Sequence, residues 1–370
     1  MALIFKSLLI SLLGLSFFWT LPLVSDTDKR TTERSDNTVN RSITGSRPKS
    51  RKQILKNMEK VMGKLPQRHS LVPFDILVID SLIEEDFTRY NLSFSVAKDE
   101  RLTAYLYVPF QNGIARKVAA MLVLHETNPI GRRGVDGQDG KPNRAYAREL
   151  AKRGYVVIAP DYPSFGDLKD HNFENDRYDS ATMQGIFNHM RCIDLLQSRK
   201  DVNRDKIGVV GLSLGGHNSM FVAAFDERIK VTVSASGWTQ FEYYNIGTDA
   251  EKKYGGRLGP WAQTRYMPRF KTKYNLDGNR IPFNFDDVIS AIAPRAFFSV
   301  SPLNDANFDV KGVEAGIELA MNTYAKYNAP DMLQVRYPNA GHDFPVESRK
   351  EAYEFIDKIL GHSPGIVELK

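Results

Sequence analysis

The chain has 370 residues, 42% of them hydrophobic and 25% charged, a balance that fits a globular protein and excludes a fibrous or wholly disordered one. Residues 1–70 hold 13 Lys/Arg against 5 Asp/Glu, an excess of +8, so of the net +6 the remaining 300 residues carry −2. The basic charge is therefore not clustered on the folded body, which excludes nucleic acid as a partner. A single cysteine, Cys192, excludes an intramolecular disulfide framework, and no CxxC, HExxH or comparable spacing calls for a metal.

Residues 1–25 open with Lys6 and continue as an uncharged run of 19 residues, SLLISLLGLSFFWTLPLVS. A short basic start, an apolar centre and a small residue at the end fit a secretory signal, although Leu23 is large where a cleavage site prefers a small side chain. The run is also long enough to span a bilayer. The chain is expected to be exported, secreted or periplasmic, with a membrane as partner only if this segment stays uncleaved. Residues 26–50 are rich in Thr, Ser, Asn and Arg and lack the apolar residues a core needs, which predicts a disordered linker. Ile54, Leu55, Met58, Val61 and Met62 have helical spacing and predict an outer helix within an N-terminal helical extension, residues 51–84. Asn40 and Asn91 stand in glycosylation sequons.

From there the pattern alternates. Residues 87–96 and 101–108 read as an antiparallel strand pair turning near Asp99. Residues 118–125 and 155–160 are continuous apolar runs, as in strands covered on both faces. Between them lie a loop with Gly131, Gly134, Gly137 and Gly140 and a helix over 143–153. A helix over 184–200 holds Cys192 as packing filler. Strands are expected at 207–211, 229–234, 296–300 and 333–337, and helices from Leu214, over 310–328 and over 348–360. Strands alternating with helices predict an α/β fold, a doubly wound, mostly parallel sheet over residues 85–361. Residues 237–287 break the rhythm. They are rich in aromatic residues, and so long an insertion in a compact domain is expected to be functional, here a lid.

The organising stretch is Gly211-Leu212-Ser213-Leu214-Gly215, a G-x-S-x-G turn between an apolar strand and a helix. Such a turn strains the serine backbone and leaves no room for flanking side chains. The helix that follows aims its amides at the space where an oxyanion would form. A serine hydroxyl needs a base, and the base needs an orienting acid. Functional residues of a doubly wound sheet gather beyond the carboxyl ends of its strands, where His342 follows the last strand. His125 also ends a strand but precedes the serine, where the oxyanion loop belongs. His217, four residues into the helix, is expected to point away from the hydroxyl. Asp305, after strand 296–300, is the preferred acid; Asp309 is the alternative and otherwise caps the next helix. Asp343 adjoins the histidine too closely in the chain to orient it. The oxyanion donors are expected at the N–H of Leu214 and in the loop after 118–125, at Glu126 or Thr127. Arg132 and Arg133 read as solvated loop charges, with binding of an acidic group on a substrate as the alternative, and Trp238 and Glu126 as candidate substrate-pocket residues.

The elbow, Asp305 and His342, in that order, resemble the α/β-hydrolase superfamily. Leu124-His125-Glu126-Thr127 resembles the H-G-x oxyanion loop of its dienelactone-hydrolase-like and acetyl-xylan-esterase-like branch, which implies Thr127 as the second donor, with Glu126 where a glycine is common. Ser213 stands where true dienelactone hydrolases have a cysteine, which disfavours that reaction. Leu214 stands where glucuronoyl esterases have an arginine, which counts against that activity. The resemblance implies a serine esterase without metal or organic cofactor, acting on carboxylic esters of small molecules or of a polysaccharide, acetyl groups above all. A serine peptidase of the prolyl-oligopeptidase kind is the enzymatic alternative, though too few residues precede the catalytic domain for the propeller such enzymes carry. A non-catalytic binding protein that keeps the fold is the other.

Overall fold

The computed structural model describes residues 49–68, 71–111 and 116–364. The expected signal segment, nearly all of the linker and the Asn40 sequon lie outside them. The described residues belong to one compact unit. Within it nine strands form one sheet: β1 (Leu77–Ile83), β2 (Phe87–Ala97), β3 (Glu100–Pro109), β4 (Val118–Leu124), β5 (Val156–Pro160), β6 (Val202–Leu212), β7 (Ile229–Ala235), β8 (Ala296–Val300) and β9 (Leu333–Arg336). Their order in space is β1-β2-β3-β5-β4-β6-β7-β8-β9. The β1 to β3 meander and the β3–β5 pair are antiparallel, whereas β4 pairs in parallel with both β5 and β6, and β6 to β9 continue in parallel. The chain thus reverses its direction of winding around β4, the kind of crevice where α/β sheets place their sites.

The helices are α1 (Arg51–Met62), α2 (Arg132–Val135), α3 (Tyr146–Lys152), α4 (Ala181–Ser198), α5 (Leu214–Phe225), α6 (Thr248–Tyr254), α7 (Arg269–Thr272), α8 (Phe285–Ile292), α9 (Val310–Lys326) and α10 (Val346–Leu360). β4 explains the layering. Ala119, Met121 and Val123 face a core shared with Tyr146 and Leu150 of α3 and Tyr353 and Ile356 of α10. Ala120, Leu122 and Leu124 face the opposite core, with Ile186 of α4, Met220 of α5 and Ile289 of α8. A strand buried on both sides needs apolar residues at every position, which is why the run VAAMLVL carries no polar residue. Among the described residues no helix is long and apolar enough to cross a membrane.

Several expectations are corrected. The segment 51–84 is helical only over α1; residues 77–83 are an edge strand of the sheet, so the sheet begins before residue 85. Asn91 is no accessible glycosylation acceptor: it lies buried in β2, its amide donates to Asp80 and its carbonyl accepts from Arg132. Arg132 is not a solvated loop charge either. It is fully buried, ion-paired to Asp161 and Asp167, and stacked over the Tyr105 ring at 4.7 Å. Arg133 pairs with the other oxygen of Asp167. Cys192 is buried, and burial pushes its thiol up, as expected of packing filler.

Candidate active site

Ser213 sits between β6 and α5 at φ 56° and ψ −116°, a backbone conformation that costs a non-glycine residue of order 1–3 kcal/mol and persists only when its surroundings impose it. Here they do. The Ser213 N–H donates to Ala235 O of β7 at 2.9 Å, and Ser213 O accepts from the His217 N–H at 3.2 Å. A side chain at Gly211 would collide with the backbone of Gly215, and one at Gly215 with the carbonyl of Leu124 at the end of β4. The two glycines of the motif therefore allow strand, turn and neighbouring strand end to come within backbone contact.

Asp305 follows β8 and His342 follows β9, and the structure brings them together. His342 Nδ1 lies 2.9 and 3.0 Å from the two carboxylate oxygens of Asp305. A carboxylate only accepts, so Nδ1 carries a proton; in the neutral ring this tautomer leaves Nε2 as the acceptor. The acid is fixed in turn: its side chain is 1% exposed, and Oδ1 accepts from the amides of Asn307 and Phe308. The two loops are stitched by Leu303 N–H to Pro338 O and Asn304 N–H to Ala340 O, both 3.0 Å. Asp309 caps α9 through the Lys311 amide.

Ser213 opens into a cavity of about 190 Å³, also lined by Thr127, Leu214 and His217, by Asn307 and Phe308 after β8, and by Tyr244, Ile246, Tyr254, Pro260, Trp261, Gln263 and Tyr266 of the insertion. The Phe308 ring lies 5.9 Å from the His342 ring, so one aromatic side chain adjoins both the serine cavity and the paired histidine. The insertion thus walls the cavity, but not with every aromatic residue it holds. Trp238, expected in the pocket, is a core residue: it is 1% exposed, packs on Phe285 and donates Nε1–H to Ser299 at 3.0 Å. Glu126, also expected in the pocket, does not line the cavity; it is buried with its carboxylate accepting from Arg144 at 2.9 Å.

His217 also lines the serine cavity, its ring centroid 4.9 Å from that of Trp261 at a tilt of 58°, with Nδ1 3.2 Å from Gly237 O. Burial pushes its pKa down to about 3, so the ring is neutral at pH 7. Thr127 Oγ1 and the Tyr266 hydroxyl, whose pKa burial raises, are 3.2 Å apart across the cavity. His125 is buried in its loop, Nδ1 donating to Glu126 O and Nε2 accepting from the Tyr162 N–H; burial lowers its pKa.

One residue had no signal in the sequence. Arg144, just before α3, donates Nε–H to Glu126 and pairs through Nη1 with Asp343. It thereby ties the residue before Thr127 to the residue after His342. Asn143 also donates to Asp343 at 2.6 Å, and Ser236 Oγ donates to Asp343 O. Asp343 is thus the anchor of the histidine loop. Among the described residues no three His, Cys, Asp or Glu side chains gather as a metal-holding group.

The model of the family described as glucuronyl esterase, fungi, matches residues 173–327. A curated relative, the Bacillus subtilis protein YtaP, named as a hydrolase, is 26% identical over 316 residues, which are 82% of this chain and 98% of the relative. A glucuronoyl esterase from Solibacter usitatus superposes with TM-score 0.64 at 17% identity, covering 84% of this chain and 91% of its own. A Bacteroides fragilis protein described as an acetyl xylan esterase superposes with TM-score 0.59 at 21% identity, over 78% and 74%. The chain has the α/β-hydrolase fold. The matched stretch 173–327 holds Ser213 and Asp305.

Proposed function

We propose that this α/β-hydrolase is a serine carboxylic ester hydrolase that works through an acyl-enzyme on neutral esters of a polysaccharide or its oligosaccharides, acetyl esters first among them. The observation that carries the reading is the strained Ser213 turn opening into an aromatic cavity beside a histidine whose Nδ1 is held by a buried aspartate. In this reading Ser213 Oγ attacks the ester carbonyl while His342 Nε2 takes its proton, and Asp305 stabilises the imidazolium. The amides of Leu214 and Thr127 receive the oxyanion; such a donor is worth about 3–4 kcal/mol. The alkoxide leaves with the proton from His342, and a water deprotonated by the same nitrogen attacks the acyl-enzyme, releasing acid and serine.

The preference for neutral esters rests on the cavity lining, which carries no Lys, Arg, Asp or Glu. A free acid on the substrate would be desolvated there without a partner. A glucuronoyl ester is the second reading, favoured by the family match over 173–327. Turnover of p-nitrophenyl acetate with an initial burst, lost in Ser213→Ala, tests the chemistry. Acetylated xylo-oligosaccharide, a methyl glucuronate ester and a peptide anilide, run side by side, test the substrate class: acetate release is expected to lead. Cleavage of the anilide alone would replace the esterase with a peptidase. Export is proposed on residues 1–25, and an intact mass of the native protein that begins after residue 25 is the expected sign.

A further inference from the structure

His125 follows β4 and is buried, and main-chain groups occupy both of its ring nitrogens. Nε2 accepts from the Tyr162 N–H at 3.0 Å, so Nδ1 carries the proton and donates to Glu126 O at 2.6 Å. The carbonyl it holds belongs to the same peptide unit as the N–H of Thr127. That unit is trans and planar, so its N–H points opposite to its C=O. A ring that fixes Glu126 O on one side therefore fixes the direction of the Thr127 N–H on the other. Thr127 lines the serine cavity. Among the described residues, neither its N–H nor that of Leu214 donates to a protein acceptor.

The far side of the ring is anchored as firmly. Tyr162 adjoins Asp161, whose fully buried carboxylate is ion-paired to Arg132. That carboxylate also accepts from Thr103 Oγ1 and the Arg132 N–H at 2.8 Å, and from the Asp167 N–H at 3.0 Å. A Cβ at Gly131 or Gly166 would fall 2.2 Å from Asp161 Oδ1, so the loops close directly on this carboxylate.

We propose that His125 is a positioning residue for the oxyanion site: through Glu126 O it aims the Thr127 N–H at the carbonyl oxygen of the bound ester. The inference rests on the Ser213 esterase reading and deepens it. The line of contacts runs from Asp161 through the Tyr162 amide and the imidazole to a single peptide unit. A donor held in this way needs no reorganisation at the moment charge develops on the substrate oxygen.

Two substitutions in the full chain test this. His125→Phe keeps a buried ring and removes both hydrogen bonds, whereas His125→Asn sets an amide nitrogen near the place of Nδ1. With p-nitrophenyl acetate, kcat of His125→Phe is expected to fall about 10²–10³-fold, the effect of losing one oxyanion donor, with KM within about threefold of wild type. His125→Asn is expected to recover at least ~10-fold of that loss. A trifluoromethyl ketone gives the readout that loosened packing would not move. Ser213 Oγ adds to its carbonyl carbon, the hydroxyl proton passes to His342 Nε2, and the carbonyl oxygen becomes the oxyanion. Its inhibition constant is expected to rise by the factor by which kcat falls. A folded His125→Phe with kcat within about threefold of wild type, an inhibition constant that does not follow kcat, or a His125→Asn no better than His125→Phe overturns the proposal. Should His125→Phe not fold, the wild type decides: the Thr127 amide proton is expected to move downfield when the ketone binds, and one that stays in place overturns the proposal. A wild type that neither turns over the ester nor takes up the ketone contradicts the esterase reading itself.

Discussion

The two walls of the cavity are held by different physics. On the sheet side Ser213 lines the cavity and, like the Asp305–His342 pair behind Phe308, sits on a short turn at a strand end, fixed by backbone collisions at Gly211 and Gly215 and by hydrogen bonds to carboxylates. On the insertion side, Tyr244, Trp261 and Tyr266 are backed by rings packing on rings: Phe241 lies 6.1 Å from Trp261, 5.2 Å from Phe270 and 5.3 Å from Phe285. The first kind of wall is directional and has one solution. The second is a small hydrophobic core whose volume matters more than its exact contacts. Chemistry is therefore expected to be brittle and substrate choice adaptable.

The contrast can be broken most severely at Gly215. In Gly215→Ala the methyl group meets the Leu124 carbonyl, and a loss of at least ~10³-fold in kcat/KM or of folding itself is expected, read by turnover and circular dichroism. Next is Arg144→Ala, which unties Glu126 from Asp343. A displacement of about 1 Å in either loop is worth about 10²-fold, so kcat is expected to fall by about that factor while KM changes little, with Arg144→Lys partly restoring it.

Acid tests the boundary between the walls. His217 and His189 are buried, and burial pushes each pKa down to about 3. Their unfolded values lie near 6.5, so between about pH 6.5 and 3 the unfolded chain binds protons that the folded chain does not. Stability is therefore full above the unfolded pKa and falls on acidification. A drop of a few kcal/mol between pH 7 and pH 5 is expected from urea midpoints. The mildest change is Trp238→Phe, on the insertion side, which leaves Ser299 without its indole donor. It is expected to cost about 1–2 kcal/mol of stability and to change kcat less than twofold. An effect on kcat as large as that of Arg144→Ala would erase the distinction between the walls.

Much of the sheet wall was legible because its signals are local. The G-x-S-x-G turn reports its own backbone, and β4, β5 and β8 are apolar at nearly every position because both faces are covered. Asp305 and His342 could be paired because chain order and strand ends constrain where loops meet. The rest depends on partners distant in the chain. Arg132 looked like a loop charge because nothing in its neighbourhood announces Asp161 or Asn91. Trp238 reads as a pocket residue because an aromatic-rich insertion does not say which rings face inward. β1 is silent in the sequence because LVIDSLI, exposed throughout and bulged between Val78 and Asp80, has neither the alternation of a half-buried strand nor a turn signal before Phe87.

The central claim, that the hydroxyl of residue 213 is the nucleophile, is tested most directly by a fluorophosphonate and intact-mass spectrometry. One adduct per chain is predicted, on the peptide carrying Ser213 and absent from Ser213→Ala, with labelling of His342→Ala slowed by at least ~10³-fold. A folded wild type that takes no adduct, or one whose adduct maps to another serine, would contradict it.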